Sequence, residues 1–250
     1  MKLIRKSLLH FIFQSELSTT AIKTMNKEGA KKEVLEKTSI ISSKSQNYLS
    51  DNFDVNNDLQ YIDNTYNRVH CDINKIKQMY PDNVKKICFY DKDKAYKEFS
   101  NFHNVPFNVN GIDYYTSEHY FQSKKFQYEP RNDSVKEKLN ELYKKLLESP
   151  APSHAFRLVR EYKEYVDPEW SKEIKPNLLK KDLIMKEAIY YKFSFYPELK
   201  HLLLNTGDTI LIEDSPTDLY WGIGGNHNEP GRNRLGELLM ELRDDFRNNK

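Results

Sequence analysis

Thr116-Ser-Glu-His-Tyr-Phe-Gln-Ser-Lys-Lys-Phe126 opens with a helix-start signal. Thr116 or Ser117 can cap, and Glu118 falls in the first turn. At helical spacing Glu118, Gln122 and Lys125 share one stripe, with Tyr115, His119 and Phe126 beside it. Two readings fit such a stripe. It is either a solvated helix face or a row of acid, amide and amine turned toward a ligand.

Working outward, Ile87-Cys-Phe-Tyr90 suits a buried strand, and order is expected to begin there. Glu98-Phe-Ser-Asn-Phe-His103 is a polar and aromatic loop. In Val105–Tyr114, Phe107 and Val109 alternate with polar residues, Asn110-Gly111 is a turn, and Ile112 and Tyr114 return, so a hairpin is predicted. The hairpin delivers the chain into the Glu118 helix and puts Asn101, Phe102 and Glu118 on one wall.

Downstream the pattern turns helical. Val135, Leu139, Leu142 and Leu146 line a helix over 134–148. A second helix is predicted over 154–165, with Ala155, Leu158 and Tyr162 inward, and a third over 178–195, with Leu183, Ile184 and Ala188 inward. A short helix over 198–205 ends at Gly207, and Thr209–Glu213 reads as a strand. The loop from Glu213 to Gly225 combines carboxylates, Tyr220-Trp221 and glycines, and can wrap a ligand closely. A final helix carries Leu235, Leu238, Leu239, Leu242 and Phe246, with Asn233 as its cap. The glycines do not form a dinucleotide fingerprint. Short strands among longer helices define a helix-rich α+β domain over 87–250, with a hairpin and a small sheet.

The preceding 1–86 read as a polar, disordered extension. The hydrophobic share of 38% and the mean hydropathy of −0.82 are low for a chain packed throughout. Residues 1–25 are basic, amphipathic and free of acids before Glu16. That pattern suits an organelle (mitochondrial) presequence, an ordinary surface helix or an untranslated extension. The 39 Lys+Arg nearly balance 37 Asp+Glu, for a net charge of +2, which gives no general nucleic-acid surface. Cys71 and Cys88 form neither a disulfide framework nor a metal spacing, so a reducing, cytoplasmic compartment is expected. No apolar run reaches membrane-span length.

Several stretches resemble the NADAR family, also called YbiA-like: Phe99-Ser-Asn-Phe102, Thr116-Ser-Glu-His-Tyr-Phe-Gln122 with Lys125-Phe126, Trp170, and Lys192-Phe193 with Pro197-Glu-Leu199. Leu202-Leu-Leu-Asn-Thr-Gly207, Leu211-Ile-Glu213, Asp218-Leu-Tyr-Trp-Gly222 and Asn233–Arg243 follow in the family's order, so the resemblance runs from about Phe89 to the C-terminus. Val159 stands where the family often has Gly, and the segment between Trp170 and Lys181 is longer than usual. The resemblance implies a compact α+β fold and an N-glycosidase that needs no metal or organic cofactor. It implies phosphoribosylaminopyrimidine intermediates of riboflavin synthesis as substrates, which yield ribose 5-phosphate. Related members remove ADP-ribose from guanine, so a nucleic acid enters only as an ADP-ribosylated substrate. A non-catalytic ADP-ribose or nucleotide-binding module is the alternative.

Breaking a ribosyl C–N bond develops positive charge at the anomeric carbon, which calls for a nearby anion and an activated nucleophile. Glu118 is the candidate base or cation stabiliser, and Asp218 the second carboxylate, with capping as the competing role of both. Lys125 on the same stripe, or Lys181, offers attack by an amine of lowered pKa. Phe102, Trp170 and Trp221 are candidates to stack on the base; core packing is their alternative, favoured for Trp221. Asn101, Gln122, Gly222 and Asn233 complete the binding set. Arg160, Arg232 and Arg234 are candidates for a phosphate, and His119 is expected in the core.

Overall fold

The computed structural model describes residues 73–130, 132–224 and 230–248. The expectations for residues 1–25 and for most of the polar extension lie outside them. The elements are α1 (Ile73–Met79), β1 (Lys86–Phe89), β2 (Phe107–Val109), β3 (Ile112–Tyr114), α2 (Ser117–Ser123), α3 (Asp133–Leu147) and α4 (Pro152–Glu161), then β4 (Glu173–Lys175), β5 (Leu178–Leu179), α5 (Lys180–Phe195), α6 (Pro197–Asn205), β6 (Ile210–Glu213) and α7 (Arg234–Asn248). β1 and β6 run parallel, Lys86 opposite Ile210 and Phe89 opposite Glu213. β2–β3 and β4–β5 are antiparallel pairs. This is the helix-rich α+β architecture read from the sequence.

Local chemistry explains most boundaries. Asn110 and Gly111 both take positive φ, 53° and 83°, which a two-residue hairpin turn requires. The Thr116 hydroxyl accepts the His119 N–H at 3.2 Å and starts α2. Asn132 Oδ1 accepts the Ser134 N–H at 2.8 Å and starts α3. Pro197 opens α6, and Gly207 at φ 58° follows its end.

Packing makes α2 the centre of the molecule. It lies against α3, α4 and α5, and every residue from Ser117 to Ser123 is buried. The solvated-face reading of the Glu118 stripe is thereby excluded. On one side Phe126, Leu139, Leu142, Leu146, Ala155 and Val159 form a cluster joined by half-buried Val135, Leu158 and Tyr162. Leu142 and Leu146 are fully buried, each contributing about 1.5–3 kcal/mol. On the other side the hairpin's Phe107, Val109 and Tyr114 pack on Tyr120 and Ala188. A third cluster joins Ile76, Cys88, Ile212 and Ile223.

Two expectations need correction. Order does not begin at residue 87: α1 belongs to the folded body, because Ile76 is buried against the β1–β6 pair. Nor do Leu183 and Ile184 lead the inward face of α5, since both are only half-buried. Asp182, Met185, Ala188, Ile189, Lys192 and Phe193 take that face instead. α7 lies directly on the β6 backbone. A Cβ built on Gly236 would come within 2.1 Å of the Leu211 carbonyl oxygen, so only glycine fits there.

Candidate active site

The Phe99–Phe102 loop is clamped onto the start of α2. The Asn101 carbonyl accepts the Glu118 N–H at 3.1 Å. The Ser117 hydroxyl donates to Asn101 Oδ1 at 3.0 Å, and Asn101 Nδ2 donates to Met185 Sδ at 3.0 Å. The Asn101 amide thus ties the loop to α2 through its oxygen and to α5 through one of its two amide hydrogens. From behind, fully buried Lys192 donates to the Ser100 carbonyl at 2.8 Å. Burial lowers its pKa to about 7, against the pull of Glu98. Phe102, next along the loop, stays 47% exposed, open to stack on an incoming ring.

Glu118 is buried, and its Oε1 accepts Gln122 Nε2 at 2.6 Å. Burial raises its pKa; Gln122 and Lys125 pull it back, and Asp218 pushes it further up. Gln122 Oε1 is also shut off from solvent and accepts no hydrogen bond among the described residues. Lys125 lies in the turn after α2, its Nζ 5.1 Å from the Phe121 ring centre and 5.4 Å from that of Trp170. Burial lowers its pKa to about 8, with Glu118 pulling up and Lys181 pushing down. A partly neutral amine beside a buried carboxyl is thus present near neutral pH.

An aromatic wall stands over this pair. Phe121 meets Trp170 edge-on at 5.1 Å and Trp221 at 5.4 Å, and Tyr220 meets Trp221 at 5.0 Å. Trp170 is 8% exposed and Trp221 half-buried. This reverses the expected order, because Trp221 sits on the exposed loop while Trp170 is covered by Phe121 and Lys125. Lys181 Nζ sits 3.2 Å from the Tyr220 ring centre. Its pKa is lowered by burial, with Arg232 adding to the effect and Asp182 and Asp218 opposing it. Neither Lys125 nor Lys181 forms an ion pair among the described residues. Arg232 lies across the same Tyr220 ring at 5.3 Å.

The loop after β6 carries Asp218, whose Oδ1 accepts the Tyr220 and Trp221 N–H groups, both at 2.8 Å. The capping role is therefore the observed one for that oxygen, and Asp218 shapes the segment bearing the two aromatics. Gly222 is buried where a Cβ would meet Ser215 Cβ at 2.7 Å and the Glu213 carbonyl at 2.8 Å. It lets the backbone pack closely there. Asn233 neither caps α7 with its side chain nor faces a ligand. Its Oδ1 accepts the Glu213 N–H at 2.9 Å, and its Nδ2 donates to the Leu211 carbonyl at 2.9 Å and the Tyr80 hydroxyl at 2.8 Å. Arg234 is held by Glu237 at 2.9 Å and Glu241 at 3.1 Å and is not free for phosphate. Arg160 lies over Phe156 on α4. His119 is in the core as expected, with Nδ1 2.8 Å from the Thr116 hydroxyl and Nε2 3.2 Å from the Ser149 carbonyl.

Sequence reasoning missed three groups at this site. Phe121 is the hinge of the aromatic wall. Asp182, fully buried, accepts the Tyr220 hydroxyl at 2.7 Å and the Leu179 N–H at 3.0 Å, and so fixes the tyrosine. Glu213 feels both Asp218 and Glu118, and its pKa is raised by burial to about 8. Among the described residues no group of three or more His, Cys, Asp or Glu is arranged to hold a metal ion, and no helix is long and apolar enough to cross a membrane.

Residues 88–247 match the model of the NADAR domain. The N-glycosidase YbiA of Escherichia coli (strain K12) is 37% identical over 158 residues, 63% of this chain and 86% of that protein. The N-glycosidase Npun_R5314 of Nostoc punctiforme is 33% identical over 162 residues, covering 65% and 93% respectively. The chloroplastic riboflavin biosynthesis protein PYRR of Zea mays is 36% identical over 167 residues, 25% of its length. The NMR structure of E. coli YbiA superposes with a TM-score of 0.54 at 34% identity, covering 66% of this chain and 87% of that one.

Proposed function

The chain belongs to the NADAR domain family, and on that premise we propose that it is an N-glycosidase that cleaves the ribosyl C–N bond of phosphoribosylaminopyrimidine intermediates of riboflavin synthesis, releasing ribose 5-phosphate. The observation that carries the reading is buried Glu118 with half-buried Lys125, whose amine lies over the Phe121 and Trp170 rings, and Trp221 packed edge-on against Phe121. The rings supply a face on which a flat base can stack, at about 1–3 kcal/mol per base. The pair supplies the charge and the nucleophile. Relatives named for N-glycosidase activity and for riboflavin biosynthesis support the substrate class.

Two routes are open to the same residues. In the first, the Glu118 carboxylate stabilises the cationic sugar and takes a proton from the attacking water. In the second, the neutral Lys125 amine attacks the anomeric carbon and the base departs. The sugar ring then opens to a Schiff base, which water hydrolyses. Asp218 and Trp221 hold the loop and the base in either route.

The test incubates the full chain and Glu118→Gln with the phosphoribosylaminopyrimidines and, separately, with an ADP-ribosylated guanine oligonucleotide. Products are read by mass spectrometry with and without borohydride. Ribose 5-phosphate formed by the intact chain and lost in the variant supports the reading, and a reduced adduct on Lys125 selects the amine route. Release of ADP-ribose alone transfers the activity to nucleic acid. Binding of either compound without product makes the protein a binding module.

A further inference from the structure

Glu213 stands at the base of the loop that carries Asp218, Tyr220 and Trp221. The loop is closed beneath it: the Ile223 N–H donates to the Glu213 carbonyl at 3.0 Å, and Asn233 Oδ1 accepts the Glu213 N–H at 2.9 Å. The backbone is thus fixed on both sides of the residue, while its Oε2 is shut off from solvent and has no hydrogen-bond partner among the described residues. A buried oxygen left in that state points to a partner the ligand brings.

The surroundings of the two carboxyl groups differ in kind. Glu118 accepts an amide N–H from Gln122 and feels the Lys125 ammonium, both of which favour its carboxylate. The charged groups that act on Glu213 are the acids Asp218 and Glu118, and the Tyr90 hydroxyl feels it in turn. A carboxyl placed among acids keeps its proton.

We propose that Glu213 is the proton donor to the departing base. The assignment rests on the N-glycosidase reading above. As the anomeric C–N bond breaks, its electron pair goes to the nitrogen, which takes the Glu213 proton. Water adds to the anomeric carbon and gives a proton to the Glu118 carboxylate. The products are the free sugar and the neutral amine. Glu213 is left ionised and Glu118 protonated, and proton exchange with solvent resets the pair.

The test compares the full chain with Glu213→Gln on the phosphoribosylaminopyrimidine and on a series of N-(5-phosphoribosyl)anilines of increasing acidity. The amide keeps the volume and the backbone bonds of the glutamate, and a melting curve checks the fold. The expected loss in kcat is about 10²–10⁴-fold on the pyrimidine, shrinking toward none as the leaving amine becomes more acidic. A second measurement needs no variant. Because the Glu213 acid survives up to pH of about 8, intact-protein activity should fall above that pH on the pyrimidine and not on the most acidic aniline. An equal loss on every leaving group, or a loss under about threefold on the pyrimidine, overturns the role while leaving the N-glycosidase reading intact. An intact protein inactive on every substrate refutes that reading, and this assignment with it.

Discussion

Replacing Asn233 with glycine isolates what its side chain does. Asn233 holds φ at 56°, a left-handed conformation that alanine would resist and glycine accepts. Asn233→Gly therefore removes the amide without adding backbone strain. Left without partners are the Glu213 N–H and the Leu211 carbonyl, both on β6. Water cannot readily replace the amide, because Leu211 is fully buried and α7 lies directly on its carbonyl. Each orphaned group costs about 1–3 kcal/mol, whereas the half-buried Tyr80 hydroxyl can turn to water. The expected loss is about 2–6 kcal/mol, a large share of the roughly 5–15 kcal/mol that stabilises a domain. At about 2–4 °C per kcal/mol for a domain this size, the melting temperature should drop by about 10 °C. Urea unfolding of the intact chain and the variant measures it. Asn233→Asp should do at least as badly, since it sets a carboxylate oxygen against the Leu211 carbonyl. A glycine variant within about 1 kcal/mol of the parent, or an aspartate variant more stable than glycine, would refute the reasoning.

Other expectations follow from the site. Glu118→Gln should lower kcat by about 10²–10⁴-fold in single-turnover assays with an unchanged melting curve, and a fall of less than tenfold removes Glu118 from the chemical step. Trp221→Ala should raise KM by about 5–150-fold, the equivalent of ~1–3 kcal/mol of stacking, with kcat nearly constant; the opposite split would place Trp221 in the chemistry. Lys125→Met should abolish any borohydride-trapped adduct, and trapping in the parent should grow as pH rises toward about 8, where the amine loses its proton. An adduct that persists in the variant assigns the amine route to another lysine. Glu213 holds its proton in the fold up to about pH 8, above its ordinary value of 4.5. Its contribution to stability is therefore complete at low pH and is lost as pH rises through that window. Between pH 5 and 8 the urea midpoint of Glu213→Gln should decline less than that of the parent, and parallel declines would contradict the buried-acid assignment.

What was legible in the sequence was local. The Asn110-Gly111 turn, the Thr116 cap and the leucine stripes of α3 and α7 each depend on neighbours within a few positions, and each stands where the pattern put it. The Glu118, Gln122 and Lys125 stripe was legible for the same reason. The scaffold contacts of Asn101 and Asn233 were not legible because their amide partners, Met185 Sδ and the Leu211 carbonyl, lie 84 and 22 residues away. An asparagine held by the scaffold looks the same in a sequence as one offered to a ligand. Glu213 was legible as the start of the carboxylate-bearing loop but not as a site residue. Its significance comes from a carboxyl oxygen shut off from solvent and from two acids brought to it by the fold, neither of which leaves a periodic trace. The tryptophans exchanged roles because tertiary covering by Phe121 and Lys125, not side-chain type, decides which ring is open.

The parallel pairing of β1 with β6 has a kinetic consequence. β1 finds its partner strand about half the chain later, and such a long closure must precede any reward from the contacts it makes. During synthesis, Glu118 and Lys125 leave the ribosome well before Glu213 exists. The acids can meet only once β6 has docked on β1 and α7 has closed over it. A nascent chain thus carries Glu118 and Lys125 for some time without Glu213, and the late arrival of one strand sets the moment at which the proposed site is complete.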